Sequence, residues 1–268
     1  MDRFLEILSP ALVFAALGIL MGILLAVAGR VFSIKKDERI EKVAECLPGA
    51  NCGGCGYAGC AALAEAIVKG EAKTSACSVG GPEAAGKIAE IMGLEAEETV
   101  PMLAHVTCAG KCGISKKKFI YSGAADCAAA ERLGRGDKVC PDGCIGLGTC
   151  VAHCPFEALS IRDGIAYVDE TKCRGCGVCV TFCPKNVIKL VPKTSPVRMR
   201  CVSTDGGKAV RSYCEAGCIG CKICEKACEV GAVKVVNNVA VIDHSKCVGC
   251  GKCAEKCPRG ILEVVTEL

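Results

Sequence analysis

The 268-residue chain has no tryptophan, and its aromatic side chains are four tyrosines and six phenylalanines. A fold of this length ordinarily fills its core with large apolar side chains, and few are available here. Base-stacking surfaces for nucleic acid are missing for the same reason. No G-x-G-x-x-G follows a strand-like run, so a dinucleotide fold is excluded. Gly81, Gly86 and Lys87 imitate part of a phosphate loop, but Ile88 stands where Ser or Thr must hold magnesium and Pro82 interrupts the loop. Only three histidines occur, His105, His153 and His244, and they are scattered. Each reads as a surface or core residue, with His153 beside Cys154 placed to tune a metal group there.

What the chain does have is 26 cysteines. Disulfides at that density belong to short secreted domains. This chain instead opens on a stretch with no charge between Glu6 and Arg30, apolar apart from two glycines over Ala11 to Ala28, long enough to cross a bilayer as one helix. Asp2, Arg3 and Glu6 give no basic excess before it, which argues against a cleaved signal peptide. Arg30, Lys35 and Lys36 follow it, which orients the rest of the chain toward the cytoplasm, where disulfides are reduced. The cysteines are therefore expected to bind metal, cross-linking a fold whose apolar core is thin.

Their spacing separates iron–sulfur clusters from zinc. Cys52, Cys55 and Cys60 follow C-x2-C-x4-C, with Cys77 beyond a helix-like stretch, among glycines whose freed amides favour negative charge. Zinc sites more often present two ligand pairs. Cys173, Cys176, Cys179 and Cys183-Pro184 match C-x2-C-x2-C-x3-C-P, as do Cys247, Cys250, Cys253 and Cys257-Pro258. Cys218, Cys221, Cys224 and Cys228 match it with Glu229 in the proline's place. Since the fourth cysteine of such a run ligates the other cluster of a pair, one cluster is expected on Cys218, Cys221, Cys224 and Cys257 and a second on Cys247, Cys250, Cys253 and Cys228.

A repeat extends the pattern upstream. At an offset of 74 residues Cys154 falls on Cys228, and Cys173, Cys176, Cys179 and Cys183 fall on Cys247, Cys250, Cys253 and Cys257. Cys144 and Cys150 fall on Cys218 and Cys224, but Leu147 stands where Cys221 supplies a ligand. The nearest substitute is Cys140. The sequence thus assigns Cys140, Cys144, Cys150 and Cys183 to one cluster and Cys154, Cys173, Cys176 and Cys179 to another, a three-iron cluster being the competing reading of the first. A sixth cluster could draw four ligands from Cys108, Cys112, Cys127, Cys201 and Cys214, with spare thiols or zinc as the alternative. Cys46 reads as a buried structural thiol.

The expected architecture is one transmembrane helix (residues 1–34), a small α module binding a 4Fe-4S cluster (35–96), a cysteine-containing insert (97–139), and two tandem 2[4Fe-4S] ferredoxin-like α+β units (140–192 and 218–268) joined by a cysteine-containing linker (193–217). The formal charge of +4 counts cysteine as neutral. Each oxidised four-iron cluster on four thiolates carries about −2, so five or six make the loaded protein acidic. Two basic runs, Lys116 to Lys118 and the group Lys193, Arg198, Arg200, Lys208 and Arg211, read either as solvated faces or as a landing surface for an acidic redox partner.

The membrane helix, the motif L-P-G-x-N-C-G-x-C-G-Y-x-G-C at Leu47 to Cys60 with its distal Cys77, and the ferredoxin repeats together resemble the B-subunit family of Rnf complexes, membrane-bound ferredoxin:NAD oxidoreductases that pump sodium ions or protons. The resemblance covers nearly the whole chain. It departs from the simplest members, which have one ferredoxin unit, toward the longer form of anaerobic bacteria. It implies an electron-entry subunit of a translocase in the bacterial cytoplasmic membrane. Reduced ferredoxin would be the donor, and flavin, NAD and further membrane spans would lie on partner subunits. Two other readings compete: a membrane-tethered polyferredoxin serving an enzyme such as a hydrogenase, and a zinc-binding adaptor.

Overall fold

The structure, a computed structural model, describes residues 2–31 and 37–265, with side chains described over 13–30 and 37–265. Lys35 and Lys36, on which the expected orientation partly rests, lie outside the described residues. Helix α1 (Asp2–Val31) contains the apolar stretch, and none of Val13–Arg30 is buried against the rest of the chain. Phe14, Ile19 and Leu25 all face outward. An apolar helix whose described side chains are not buried against the rest of the chain is what a bilayer would cover.

A three-helix module follows, built from α2 (Glu38–Cys46), α3 (Cys60–Val68) and α4 (Gly81–Met92). Asp37 starts α2 by accepting the Arg39 amide hydrogen at 2.9 Å. Pro82 sits in the first turn of α4, where its missing N–H costs nothing. Val43, Leu63, Ala64, Ile67 and Ile88 form its core, and Cys46 packs half-buried against them. The phosphate-loop imitation lies in α4, where Lys87 pairs with Glu83 at 2.7 Å.

The remaining chain forms two repeats. In the first, β1 (Met102–Val106) pairs antiparallel with β4 (Ile188–Pro192) and encloses the hairpin of β2 (Leu159–Arg162) and β3 (Ile165–Val168). In the second, β5 (Val197–Met199) pairs with β8 (Leu262–Val264) around the hairpin of β6 (Val233–Val236) and β7 (Val239–Ile242). Both hairpins turn through two residues of positive φ, Asp163-Gly164 and Asn237-Asn238, the chemistry a two-residue turn demands. Short helices carry the loops: α5 (Cys127–Arg132), α6 (Thr149–Ala152) and α7 (Val178–Thr181), then α8 (Gly207–Tyr213), α9 (Ile223–Ala227) and α10 (Lys252–Glu255).

These pairings differ from the boundaries expected at residues 140 and 218. Strand β1 comes from the presumed insert and β5 from the presumed linker, yet each closes the sheet of the repeat that follows it. The spacing of cysteines marks where ligands lie and says nothing about a strand supplied from outside the ligand run. The repeats also touch. His105 on β1 donates from Nε2 to the Met199 carbonyl at 2.8 Å, and burial pushes its pKa down, so the ring is neutral. Arg198, assigned by sequence to a basic surface, is buried, bonded to Glu170 and to the Lys193 carbonyl.

Closure by β5 is testable in the intact chain. Val197 is 1 % exposed, so Val197→Asp buries an unpaired carboxyl at a cost of about 3 kcal/mol or more. Amide exchange should rise steeply across Leu262–Val264 and far less across Met102–Val106; equal protection in both proteins would show that β5 does not close the second repeat.

Candidate iron–sulfur ligand sets

Four small pockets are lined by four cysteines apiece. The first holds Cys52, Cys55, Cys60 and Cys77 of the helical module. Asn51 accepts the Cys60 amide hydrogen through Oδ1 at 2.8 Å, capping α3 and fixing the turn that carries the cysteines, and Gly80 N–H points at Cys77 Sγ from 3.4 Å. The Asn in the L-P-G-x-N-C motif is thus a positioning residue, a role its place in the motif did not disclose.

The second holds Cys154, Cys173, Cys176 and Cys179, the grouping expected from the ligand runs. Amide hydrogens of Ala158 and Ala104 reach Cys154 Sγ and Cys173 Sγ, each at 3.4 Å. The latter comes from β1, so the strand that closes the repeat also supports a ligand.

The third departs from expectation. Cys144, Cys150 and Cys183 are joined by Cys127, and Cys140 is elsewhere. Asp126 caps α5 by accepting from Ala129 N–H at 2.7 Å, and it also accepts from the Thr149 hydroxyl at 3.1 Å. Thr149 Oγ1 in turn accepts the Cys127 amide hydrogen at 2.7 Å. This relay pins Cys127 beside the helix that carries Cys150. The signal in the sequence was the N-cap Asp126 before the helical run C-A-A-A-E-R; the nearest cysteine along the chain was the wrong guide, because a capped helix brings a more distant one closer in space.

The fourth lies between the repeats and is lined by Cys108, Cys140, Cys201 and Cys214. Cys108 and Cys201 each follow the closing strand, β1 or β5, by two residues. Cys140 and Cys214 are separated by 74 residues, the repeat offset itself. Cys144 N–H donates to Cys108 Sγ at 3.4 Å and its repeat equivalent Cys218 N–H to Cys201 Sγ at 3.3 Å. The set is therefore pseudo-two-fold, two cysteines from each repeat. Buried Lys138, whose Nζ bonds the Gly110 and Gly164 carbonyls at 2.7 and 3.1 Å, lines it together with Arg200. Arg259 bonds the Cys214 carbonyl.

In the second repeat, Cys218, Cys224 and Cys253 are buried in one core with Cys228, Cys247 and Cys257 packed against it. The neighbours acting on Cys224 are Cys218, Cys257 and Cys221, and those acting on Cys253 are Cys247 and Cys228. Ala232 N–H reaches Cys228 Sγ at 3.2 Å, repeating the Ala158 contact. Cys221 and Cys250 are exposed. Cys112 is exposed beside the Asp163 turn, outside all of these groups, as is Cys46.

The donor chemistry fits iron–sulfur clusters. Cysteine is the only metal-ligating residue type lining three of the pockets, and Asp142 joins it at the fourth. Among the described residues no three His, Cys, Asp or Glu side chains converge as one bare ion would require; the thiols stand apart around a cavity. Burial pushes the Cys150, Cys179 and Cys201 thiols up to about 12 and Cys144 to about 11, with neighbouring thiols adding to the shift. Held so close in low dielectric, they ionise together only when metal replaces their protons.

The sets also adjoin one another in succession. A Cβ added at Gly54 would lie 2.0 Å from the Cys176 carbonyl oxygen, so the module's loop rests on the second set. Cys150 acts on Cys179, linking the second set to the third, and the Cys144–Cys108 and Cys218–Cys201 contacts link the third to the inter-repeat set and that set to the second repeat.

Comparisons with known proteins find iron–sulfur families on three stretches of the chain. A family described as a putative Fe-S cluster matches residues 47–79, a 4Fe-4S binding domain matches 166–189, and a 4Fe-4S dicluster domain matches 217–261. The chain is 46 % identical over 241 residues to the B subunit of the Na(+)-translocating ferredoxin:NAD(+) oxidoreductase complex of Acetobacterium woodii, covering 90 % of this chain and 72 % of the relative. It is 44 % identical to the B subunit of the ion-translocating oxidoreductase complex of Methanosarcina acetivorans, covering 90 % and 91 %. It is 40 % identical to the B subunit of the proton-translocating ferredoxin:NAD(+) oxidoreductase complex of Clostridium ljungdahlii, covering 87 % and 83 %. With such identity along nearly its whole length, the chain belongs to the family of B subunits of ion-translocating (Rnf) oxidoreductase complexes.

Proposed function

We propose that this chain is the electron-relay subunit of a membrane-bound, ion-translocating ferredoxin:NAD oxidoreductase, taking electrons from reduced ferredoxin and delivering them to membrane subunits, with flavin and NAD bound on other chains. The observation that carries this reading is the single line of cysteine sets, ending at the module that follows the apolar helix directly in the chain. Bound there, iron–sulfur clusters supply one-electron carriers.

The geometry supports a reading in six sets: Cys52, Cys55, Cys60 and Cys77; Cys154, Cys173, Cys176 and Cys179; Cys127, Cys144, Cys150 and Cys183; Cys108, Cys140, Cys201 and Cys214; Cys218, Cys221, Cys224 and Cys257; and Cys228, Cys247, Cys250 and Cys253. Cys127 supplies the ligand that Leu147 lacks, which favours four iron over three in that set. The domain division that goes with them is a membrane anchor, the helical module, and two tandem ferredoxin-like units, each running from its closing strand at β1 or β5. Amide hydrogens aimed at sulfur stabilise the reduced state of a set, and the cations around the inter-repeat set do so further, so the chain itself grades the relay.

Helix α1 anchors the subunit as a single span, with Arg30, Lys35 and Lys36 holding the ligand sets on the cytoplasmic side. The stretch between Glu6 and Arg30 carries no ionisable side chain, so it offers no carboxylate for a sodium ion or a proton, and ion passage falls to other subunits.

Iron and sulfide assays on anaerobically purified protein should give about 24 iron per chain, four for each set. Cys127→Ala should lower this to about 20, or about 23 if a three-iron group persists, while Cys46→Ala leaves it unchanged; full iron in the Cys127 variant would return Cys140 to that set. In the assembled complex, Cys52→Ala should leave the other five sets loaded yet abolish ferredoxin-dependent NAD reduction, and unchanged turnover would refute the route. Gly54→Ala tests the junction: iron content should hold while turnover drops severalfold, because the added methyl pushes the module off the Cys176 loop.

A further inference from the structure

Pseudo-symmetry about the inter-repeat set orders the other sets on both sides of it. Moving outward through the first repeat, the sets are those of Cys127/Cys144/Cys150/Cys183, then Cys154/Cys173/Cys176/Cys179, then the helical module. Moving outward through the second, the repeat equivalents are those of Cys218/Cys221/Cys224/Cys257, then Cys228/Cys247/Cys250/Cys253. The 74-residue register makes Cys250 the equivalent of Cys176. Cys176 and its neighbour Gly175 are buried, with the module's Gly54 against the Cys176 carbonyl. Cys250 is exposed, and Val248 beside it is 67 % exposed.

The chemistry of this surface differs from the basic faces. Val248 replaces the Arg174 of the first repeat, and Val230, 44 % exposed, follows Cys228 and Glu229. Of the charges around it, Lys252 pairs with Glu229 at 2.5 Å and Lys246 with Asp243 at 3.1 Å, so they neutralise each other. The centre is apolar and four of the rim charges, Glu229, Lys252, Asp243 and Lys246, pair among themselves, which suits contact by close packing more than by long-range attraction.

Resting on the relay reading above, we propose that the surface around Val248 and Cys250 is the docking site of the soluble donor, a small ferredoxin, whose Gly-rich cysteine loop seats there as the Gly53–Gly54 loop seats on Cys176. The occupant is a cluster-bearing protein because the equivalent surface in this same chain already holds one. The glycine-lined loop matters because any side chain at the Gly54 position collides with backbone, and a partner must make an equally close approach. Since the rim charges are paired, the affinity should be only weakly salt-dependent.

The test uses the whole purified complex with a bacterial 2[4Fe-4S] ferredoxin as the probe. Val248→Glu should raise the KM for ferredoxin about tenfold or more while leaving kcat within about twofold and leaving iron content and dithionite reduction unchanged. Between about 0.05 and 0.3 M salt the wild-type KM should change less than about threefold. Lys208→Glu with Arg211→Glu, on the exposed face of α8, should leave KM unaltered. Should Val248→Glu lose iron, Val230→Glu decides by the same KM criterion. A KM raised by the α8 pair and untouched by the valine variants would overturn the proposal and move docking to the basic face. Failure of reduced ferredoxin to reduce the wild-type complex at all would overturn the relay reading itself.

Discussion

The arrangement of this protein depends on holding thiol sulfurs near one another without letting them meet. Each set must surround a volume that apolar side chains do not fill, and burial raises the thiol pKa of the innermost sulfurs, Cys144, Cys150, Cys179 and Cys201 among them. Backbone amides aimed at sulfur, from Ala104, Ala158 and Ala232 among others, are what the chain offers in place of solvent. The short strands, four-residue helices and scarce aromatics follow from that. Val187, Ile188, Val233 and Ile261 are small or medium side chains packed around ligand loops, and the core is divided among several groups because the sets lie between them. Metal ligation takes the place of the large continuous core that 268 residues could otherwise build.

Duplication then supplies what a single unit lacks. Each repeat carries a closing strand followed by one cysteine, and a second cysteine four residues before its ligand run, Cys140 before Cys144 and Cys214 before Cys218. Neither pair completes a set in its own repeat. Placed face to face, with His105 bonded to the Met199 carbonyl across the boundary, the two pairs form one. The join between the halves is therefore itself a four-cysteine pocket, which makes the succession of cysteine sets continuous from one repeat to the other.

Much of this was legible in the sequence, for a definite reason. A ligand run of C-x2-C-x2-C-x3-C-P is a local object, with geometry contained in a dozen residues, so the groupings around Cys173 and Cys247 could be read directly. What could not be read depended on contacts across sequence. Cys127 reaches its set through Asp126 and Thr149, a connection 23 residues long. Strands β1 and β5 lie outside the ligand runs, so cysteine spacing alone makes them insert and linker. Arg198 looked like surface charge because nothing local shows Glu170 waiting for it. The pairing of Cys140 with Cys214 is the instructive case: the 74-residue register already related them, but relation by repeat points to equivalent roles, and only the face-to-face packing turns equivalence into a shared set.

The inter-repeat set also imposes an order on synthesis. Cys108 and Cys140 leave the ribosome well before Cys214, and at 5–20 residues per second the gap of 74 residues between the last two lasts roughly 4 to 15 s. Once Cys183 has emerged, the first repeat's own two sets are complete in sequence, yet Cys108 and Cys140 still wait for Cys201 and Cys214 before a set can close around them. The sets therefore become complete in sequence from the N-terminal end onward, and the middle of the electron path is the one set whose halves come from different repeats, so that Cys108 and Cys140 wait longest for their partners and stand open to oxygen longest.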